Sequence, residues 1–544
     1  MKDGERMQIE KAAEYAIRNV LKEGLTDIFD RPFEIELLRN EDFKKKVYDK
    51  IITAVKSGTL EGLGVNNIEH ILIPKNSPFN FRRCALIHPM DTLKYLTLVL
   101  TIADEIEKAR IPIKKKRIYS YRFRINKEYI FNTNYTITSF NKIVSEKVKR
   151  KKVELLISCD IANYYDRLNL HRLQNTLFSI NCDRAKVKLI NELLLFWSGR
   201  DSYGLPVGSN ASRILAEANL IGVDNYLENM NVDFIRFVDD YRFFAPDSYT
   251  AHYWLTLLID RLWQEGLTIN MSKTKIESLK EGKLLLCKTK NKELEEKQDE
   301  KSKNIKKGNP FIIRAGYGGI VPVRFRELSK KEKENLNKIN IQESVLELDK
   351  KILITVDKLV EAIKAIISQE KYDMLVEIIT FLDKYLQITP YYIDVLIKYS
   401  KHLSNDEKNV ILDYFTKKLM QEKYLPEYLI LSYVKILGNE DFADRKLLMD
   451  YYRNLRKNSG IHVGRMLLES LTNLVNREDV LEIRRGFNRS DLWEKRQIIK
   501  MVDNVLDEEE KRPWLKNIRQ VEVGELFLQE TASINKKTKV VRKK

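Results

Sequence analysis

The sequence predicts an α+β fold for the first part of the chain and an all-α fold for the remainder, and three observations carry that division. Phe234-Ile235-Arg236-Phe237-Val238-Asp239-Asp240-Tyr241-Arg242-Phe243-Phe244 sets two runs of aromatic and β-branched residues around adjacent acids, the pattern of a β-hairpin with Asp239 and Asp240 at its turn. Val153 to Asp160 is a mostly apolar run that ends on an acid and passes into a polar turn and helix. From about Glu343 to Ile518 apolar residues recur with helical spacing, as in Leu375, Ile378, Ile379 and Leu382, with breaks near Pro390, Asn405, Pro426, Gly438 and Gly460.

In chain order, residues 7 to 60 alternate apolar and charged positions at helical period, for example Ala12, Tyr15, Ala16 and Val20. They predict two or three helices in an N-terminal region spanning 1–65. Ile71-Leu72-Ile73-Pro74-Lys75 and then Phe81-Arg82-Arg83 predict a strand pair with bases, and Leu93, Leu96, Val99, Leu100 and Ala103 predict a helix. Between Ile111 and Phe140, Lys114-Lys115-Lys116-Arg117 precedes Tyr119-Ser120-Tyr121-Arg122-Phe123-Arg124. Interleaved bases and rings neutralise phosphates and stack on bases of single-stranded nucleic acid, though a β-edge guarded by lysines has the same look. Cys287 to Gly308 is rich in lysine and acid without an aromatic and predicts a solvated excursion, after which Phe311 to Ile320 predicts a strand and glycine turn. The breaks of the helical region, 331–535, recur at about the length of a helix pair, which predicts a HEAT-like solenoid. The last residues, 536–544, form a basic tail.

The chemistry is concentrated in the acids. Two neighbouring carboxylates repel, and a divalent cation that both face is the most economical reason to keep them together. With Asp160 they supply the minimum set for two Mg²⁺ ions about 3.5–4 Å apart, one activating a 3′ hydroxyl and the other gripping a triphosphate. The expected reaction is nucleotidyl transfer.

At this point the chain resembles the reverse transcriptases. Phe237-Val238-Asp239-Asp240 is similar to their (Tyr/Phe)-x-Asp-Asp motif, and Asp160 followed by Tyr165 to their first palm motif. Gly204-Leu205-Pro206-Val207-Gly208-Ser209 resembles the Pro-x-Gly motif, and Gly266 to Lys275 the Leu-x-x-Asn-x-x-Lys-Thr segment. The resemblance implies a right-hand polymerase with fingers and palm over 66–330, built from an antiparallel sheet and helices. It implies that Asp160, Asp239 and Asp240, with the Ile161 carbonyl, hold the metal, that Lys273 protonates or steadies pyrophosphate, and that Tyr165 lies under the sugar and excludes a 2′ hydroxyl. Arg122, Lys75, Arg83, Pro206 and Gly208 are expected at the nucleotide or template. Val207 stands where many members place Gln, and an apolar side chain cannot hydrogen-bond a base. Pro-Val-Gly and Ser120-Tyr121-Arg122 resemble abortive-infection and other defence-associated reverse transcriptases of bacteria, some of which extend DNA without a template from a protein hydroxyl. That branch implies dNTPs, a non-coding RNA, a single-stranded DNA product, a homo-oligomer and a second defence-system protein as partners.

Lys plus Arg number 96 against 78 Asp plus Glu, a formal charge of +18 that suits phosphate-rich partners. Cys84, Cys159, Cys182 and Cys287 form no Cys-x-x-Cys pair, so neither a zinc site nor a disulfide framework is expected. No apolar run reaches a membrane span and the N-terminus lacks a signal-peptide core, so a cytoplasmic location is expected. Two other classes compete: an RNA-binding scaffold without catalysis, and an RNase in the helical region using Arg456 and His462. A scaffold, however, has no use for crowding Asp239 against Asp240.

Overall fold

The computed structural model describes residues 6–25, 29, 32–75, 80–150, 152–279, 328, 330–341, 356–422, 424–454, 459–522 and 524–533. They belong to two compact units, Met1–Ile68 with Ile87–Arg314, and Glu69–Leu86 with Ala315–Lys544. The strands described are β1 (Glu69–Pro74), β2 (Phe81–Leu86), β3 (Phe123–Asn126), β4 (Tyr129–Phe131), β5 (Leu155–Asp160), β6 (Phe234–Phe237), β7 (Asp240–Ala245) and β8 (Lys275–Ser278).

The first unit is built on an antiparallel sheet in the order β6-β7-β5-β8. Consecutive residues of β6 and β7 are buried, Phe234, Ile235 and Arg236 on one and Phe243, Phe244 and Ala245 on the other, so these strands are covered on both faces. The helix Ile137–Val148, started by a Thr136 capping box, packs on β6 and β7. Its Phe140, Val144 and Val148 join Tyr119, Val153, Leu156, Ile235, Phe244 and Leu279 in one apolar core. Each such side chain contributes about 1.5–3 kcal/mol on full burial. The helix Ser248–Gln264 packs on β7 and β5 and buries Ala251, Leu258 and Leu262. The N-terminal helix Ile9–Glu23 forms as the periodicity predicts and packs through small Ala12, Ala13 and Ala16 on the helices Glu41–Lys56 and Pro89–Leu100.

In the second unit β1 and β2 pair antiparallel from Glu69 opposite Leu86 to Pro74 opposite Phe81. This ribbon lies on the helix Glu427–Leu437, with the Phe81 and Tyr428 rings 6.3 Å apart. The helices Thr389–Tyr399, Glu427–Leu437, Ile461–Leu471, Leu492–Val505 and Leu526–Thr531 each pack on the next. Ion pairs such as Lys408 with Asp441 at 2.9 Å and Arg453 with Glu482 at 2.7 Å join successive segments of the helical stack. The break expected near Pro390 falls between the helices Leu375–Leu382 and Thr389–Tyr399, and Pro390 occupies the first turn of the second, where its missing N–H is harmless.

Cys84, Cys159 and Cys182 are buried free thiols. Among the described residues no helix is long and apolar enough to cross a membrane. The stretches 287–308, 311–320 and 536–544, and Arg456, lie outside the described residues.

Candidate active site

The hairpin expected around the acid pair forms, and its turn is only two residues long. Phe237 and Asp240 close it as the last β6–β7 pair, leaving Val238 and Asp239 at the tip. Val238 has φ 56°. A positive φ at the first tip residue alone is the type II′ geometry that normally calls for glycine, so a buried β-branched residue is strained there.

The register of β5 against β7 then brings in the third acid. Asp160 is the Cα partner of Asp240, and directly opposed residues of an antiparallel pair lie about 4.5–5.5 Å apart at Cα. The next residue locks the arrangement, because the Ile161 amide donates to the Asp239 carbonyl at 3.1 Å. Asp160, distant in sequence, is therefore brought beside the adjacent pair Asp239 and Asp240 at one end of the two central strands.

The segment after the helix Ser248–Gln264 closes over Asp160. The Ala162 amide donates to the Thr268 carbonyl at 2.8 Å, and the Asn270 amide to the Asp160 carbonyl at 2.6 Å. Nδ2 of Asn270 donates to Oδ2 of Asp160 at 3.2 Å, and Nζ of Lys273 lies 3.0 Å from the same oxygen. Arg242 reaches Oδ1 of Asp240 at 3.4 Å.

Electrostatically the three carboxylates of the site outnumber the two cations on them, Lys273 and Arg242. Burial pushes the Asp239 carboxyl up to about 7, with Asp160 and Asp240 adding to the rise and Lys273 opposing it. Burial also raises Asp240, against the pull of Arg242. Among the described residues no three His, Cys, Asp or Glu side chains stand converged as a ready-made metal cage. The donor set nevertheless fits a hard divalent cation: the donors are carboxylates, they crowd one another, and an ammonium already sits on Asp160.

Tyr165 follows in the short helix Tyr164–Arg167 and is buried, edge-on to Tyr164 with centroids 5.6 Å apart. The second motif is latched to it. Leu205 donates its amide to the Tyr165 carbonyl and Gly204 to the Leu168 carbonyl, both at 2.9 Å. Gly204 has φ 98° and Gly208 φ 116°, conformations open to glycine, and they flank Pro206 and the buried Val207. Ser209 then caps the helix Asn210–Asn219 by accepting from the Ala211 amide.

Other residues singled out in the sequence stand elsewhere. Arg122 is buried, donates twice to the Ile111 carbonyl at 3.0 Å and pairs with Glu107 at 2.6 Å. Its guanidinium is used inside the fold, and the nucleotide contact expected of it is not one this position provides. Much of the basic run before it is spent the same way: Lys115 and Arg117 pair with Glu228, and Arg117 also with Asp233. Lys75 and Arg83 lie on the β1–β2 ribbon, in the other compact unit from the acids. His462 is only 1% exposed and its imidazole is held down to about 4 by burial and by His70, so it presents no accessible base for RNA cleavage.

Sequence reasoning missed a buried charge network beneath the turn. Arg236, fully buried, donates through Nε and Nη2 to Asp224 at 2.6–3.1 Å and through Nη2 to Glu217 at 2.9 Å. Its Nη1 donates to the Val238 carbonyl at 2.7 Å. Arg110 and Ser120 also bind Glu217, and the Tyr241 hydroxyl donates to Asp224 at 3.0 Å. The available signal was an arginine inside an otherwise apolar strand, which has to find buried partners.

Residues 106–306 match the family model described as reverse transcriptase (RNA-dependent DNA polymerase). The match contains all three acids, Tyr165, Pro206, Gly208 and Lys273. Nothing among the curated proteins matches the chain. Among solved structures it is similar to telomerase from Candida albicans in complex with a fragment of telomeric RNA, at 12% identity and TM-score 0.30 over 66% of this chain and 64% of that one. It is also similar to apo telomerase from Candida tropicalis, at 12% identity and TM-score 0.30 over 81% of this chain and 73% of that one. The chain thus spans just under two thirds of the Candida albicans protein.

Proposed function

We propose that the protein is a DNA polymerase of the reverse transcriptase type that adds deoxynucleotides by two-metal-ion nucleotidyl transfer. The observation that carries this reading is the register of β5 on β7, which sets Asp160 opposite Asp240 beside the Asp239 turn within a segment that matches the reverse transcriptase family. Asp160, Asp239 and Asp240, with the Ile161 carbonyl, would hold two Mg²⁺. When bound, these ions supply the charge that activates a 3′ hydroxyl and neutralises a triphosphate. Lys273, already on Asp160, is placed to turn its ammonium to the leaving pyrophosphate and give or share a proton there. Tyr165, braced by Leu205, forms the floor under the sugar, and Pro206 and Gly208 shape the adjoining wall.

The biological setting is read from finer features. Pro206-Val207-Gly208 and Ser120-Tyr121-Arg122 resemble bacterial defence enzymes, which favours anti-phage synthesis on a bound non-coding RNA or template-free synthesis primed by a protein hydroxyl. The successive packed helices of the second unit support a HEAT-like repeat, a form that offers extended surface to RNA or partner subunits. The test is incubation of purified protein with labelled dNTPs and Mg²⁺, followed by sequencing of nucleic acid bound or attached to it. Label incorporation that requires Asp239 supports the reading. Its absence with every template and with copurified RNA sinks it.

A further inference from the structure

We infer that Arg236 is a positioning residue, one that sets the attitude of the Asp239–Asp240 turn from beneath without touching substrate. The inference rests on the proposed function for its consequence in catalysis, but its structural half stands alone. Val238 holds a left-handed conformation that a β-branched residue adopts only under constraint, so something must hold the tip. The carbonyl of that same residue accepts from Nη1 of Arg236 at 2.7 Å.

Arg236 is itself fixed on its remaining sides. Asp224, from the helix Ile221–Asn229, takes Nε and Nη2, and Glu217, from the helix Asn210–Asn219 that follows the second motif, takes Nη2. Glu217 is in turn held by Arg110 and Ser120. A planar guanidinium gripped by two carboxylates has no freedom to swing, so its Nη1 is held in one place, against the Val238 carbonyl. A buried charge network that only stabilised the core would have no need to spend a donor on the one strained carbonyl of the hairpin. The chain of contacts runs from the second motif, through Glu217 and Arg236, to the acids, which ties the two motifs together mechanically.

The test compares Arg236→Lys with wild type. Lysine keeps the charge for Asp224 and Glu217 but lacks the fork that reaches Val238 at the same time. Hydrogen exchange over residues 237–241 should quicken by roughly tenfold or more, turnover should fall by about tenfold or more, and KM for dNTP should stay within about twofold. Leu193→Ala, a cavity in the helix Arg184–Trp197, is the control: it lowers Tm and leaves exchange in 237–241 unchanged. Should Arg236→Lys fail to fold, the net-neutral pair Arg236→Gln with Asp224→Asn carries the same readout. Exchange in 237–241 that matches wild type overturns the inference whatever the activity. Quickened exchange in a protein whose wild type incorporates no nucleotide upholds the positioning role and defeats the polymerase reading instead.

Discussion

Nζ of Lys273 stands 3.0 Å from Oδ2 of Asp160, although the lysine is half exposed and its neighbour lies at the end of a buried strand. The ammonium occupies a carboxylate oxygen that a divalent cation would claim, and so it is free to move to pyrophosphate once that oxygen is taken. Lys273→Ala should lower turnover by about 10²-fold, within the usual range for a lost general acid. Single-turnover kinetics at saturating dNTP reads this directly, and a rate within twofold of wild type would remove Lys273 from the mechanism.

Asn replacements of Asp160, Asp239 and Asp240 should each reduce incorporation by more than about 10³-fold. Asp239→Asn should at the same time make the metal-free protein more stable, because it removes a half-buried charge facing two others. Scanning calorimetry should show a rise of about 1 °C, the shift that roughly 1 kcal/mol gives at about 2.1 cal/mol/K per residue over 544 residues.

At position 238 the usual order of glycine and alanine should invert. Elsewhere in a strand alanine is the more stable by about 0.5–1 kcal/mol, but a left-handed conformation costs an L side chain about 1–2 kcal/mol. Val238→Gly should therefore unfold at higher urea than Val238→Ala. The opposite order would mean that the tip does not have the positive φ described for it.

Tyr165→Ala should admit ribonucleotides, raising their use relative to deoxynucleotides by at least about tenfold, whereas Tyr165→Phe should keep the selectivity of wild type. Competition between dNTP and rNTP in one reaction measures the ratio. Equal selectivity in all three proteins would assign the ring to packing alone.

Acid should destabilise the helical unit through two imidazoles. Burial holds both His70 and His462 at about 4, with Arg83 adding to the shift of the first and His70 to that of the second. Both stay neutral in the folded chain over a range where the unfolded chain protonates them, so stability is full above about pH 6.5 and is lost as pH falls towards 4. For His462 the loss is on the order of 2 kcal/mol. His462→Gln should flatten the urea midpoint across that window, and an unchanged slope would count against the burial of this ring.

What could be read from the sequence was what short segments encode by themselves. Asp239 and Asp240 announce a turn because the flanking residues are strand formers, and Asp160 announces a strand end in the same way. Their meeting follows from one register, Asp160 opposite Asp240. The other residues are settled by partners outside their own short segments. Nothing next to Arg117 shows that Glu228 and Asp233, over a hundred positions downstream, take its guanidinium, and nothing in Ser120-Tyr121-Arg122 shows that Glu107 and the Ile111 carbonyl take that of Arg122. Arg236 escaped notice because its role depends on Asp224 and Glu217, which carry no motif of their own.

The ribbon of β1 and β2 has a bearing on how such a protein can be inherited. Residues 69–86 leave one compact unit, lie on a helix of the other and return, so the polypeptide passes between the halves there and again beyond Leu279. A two-stranded ribbon is marginal without something to lie on. A gene fusion or truncation at a single downstream junction would strand that ribbon with the wrong half, and the helical portion is therefore not a cassette that recombination can swap cleanly.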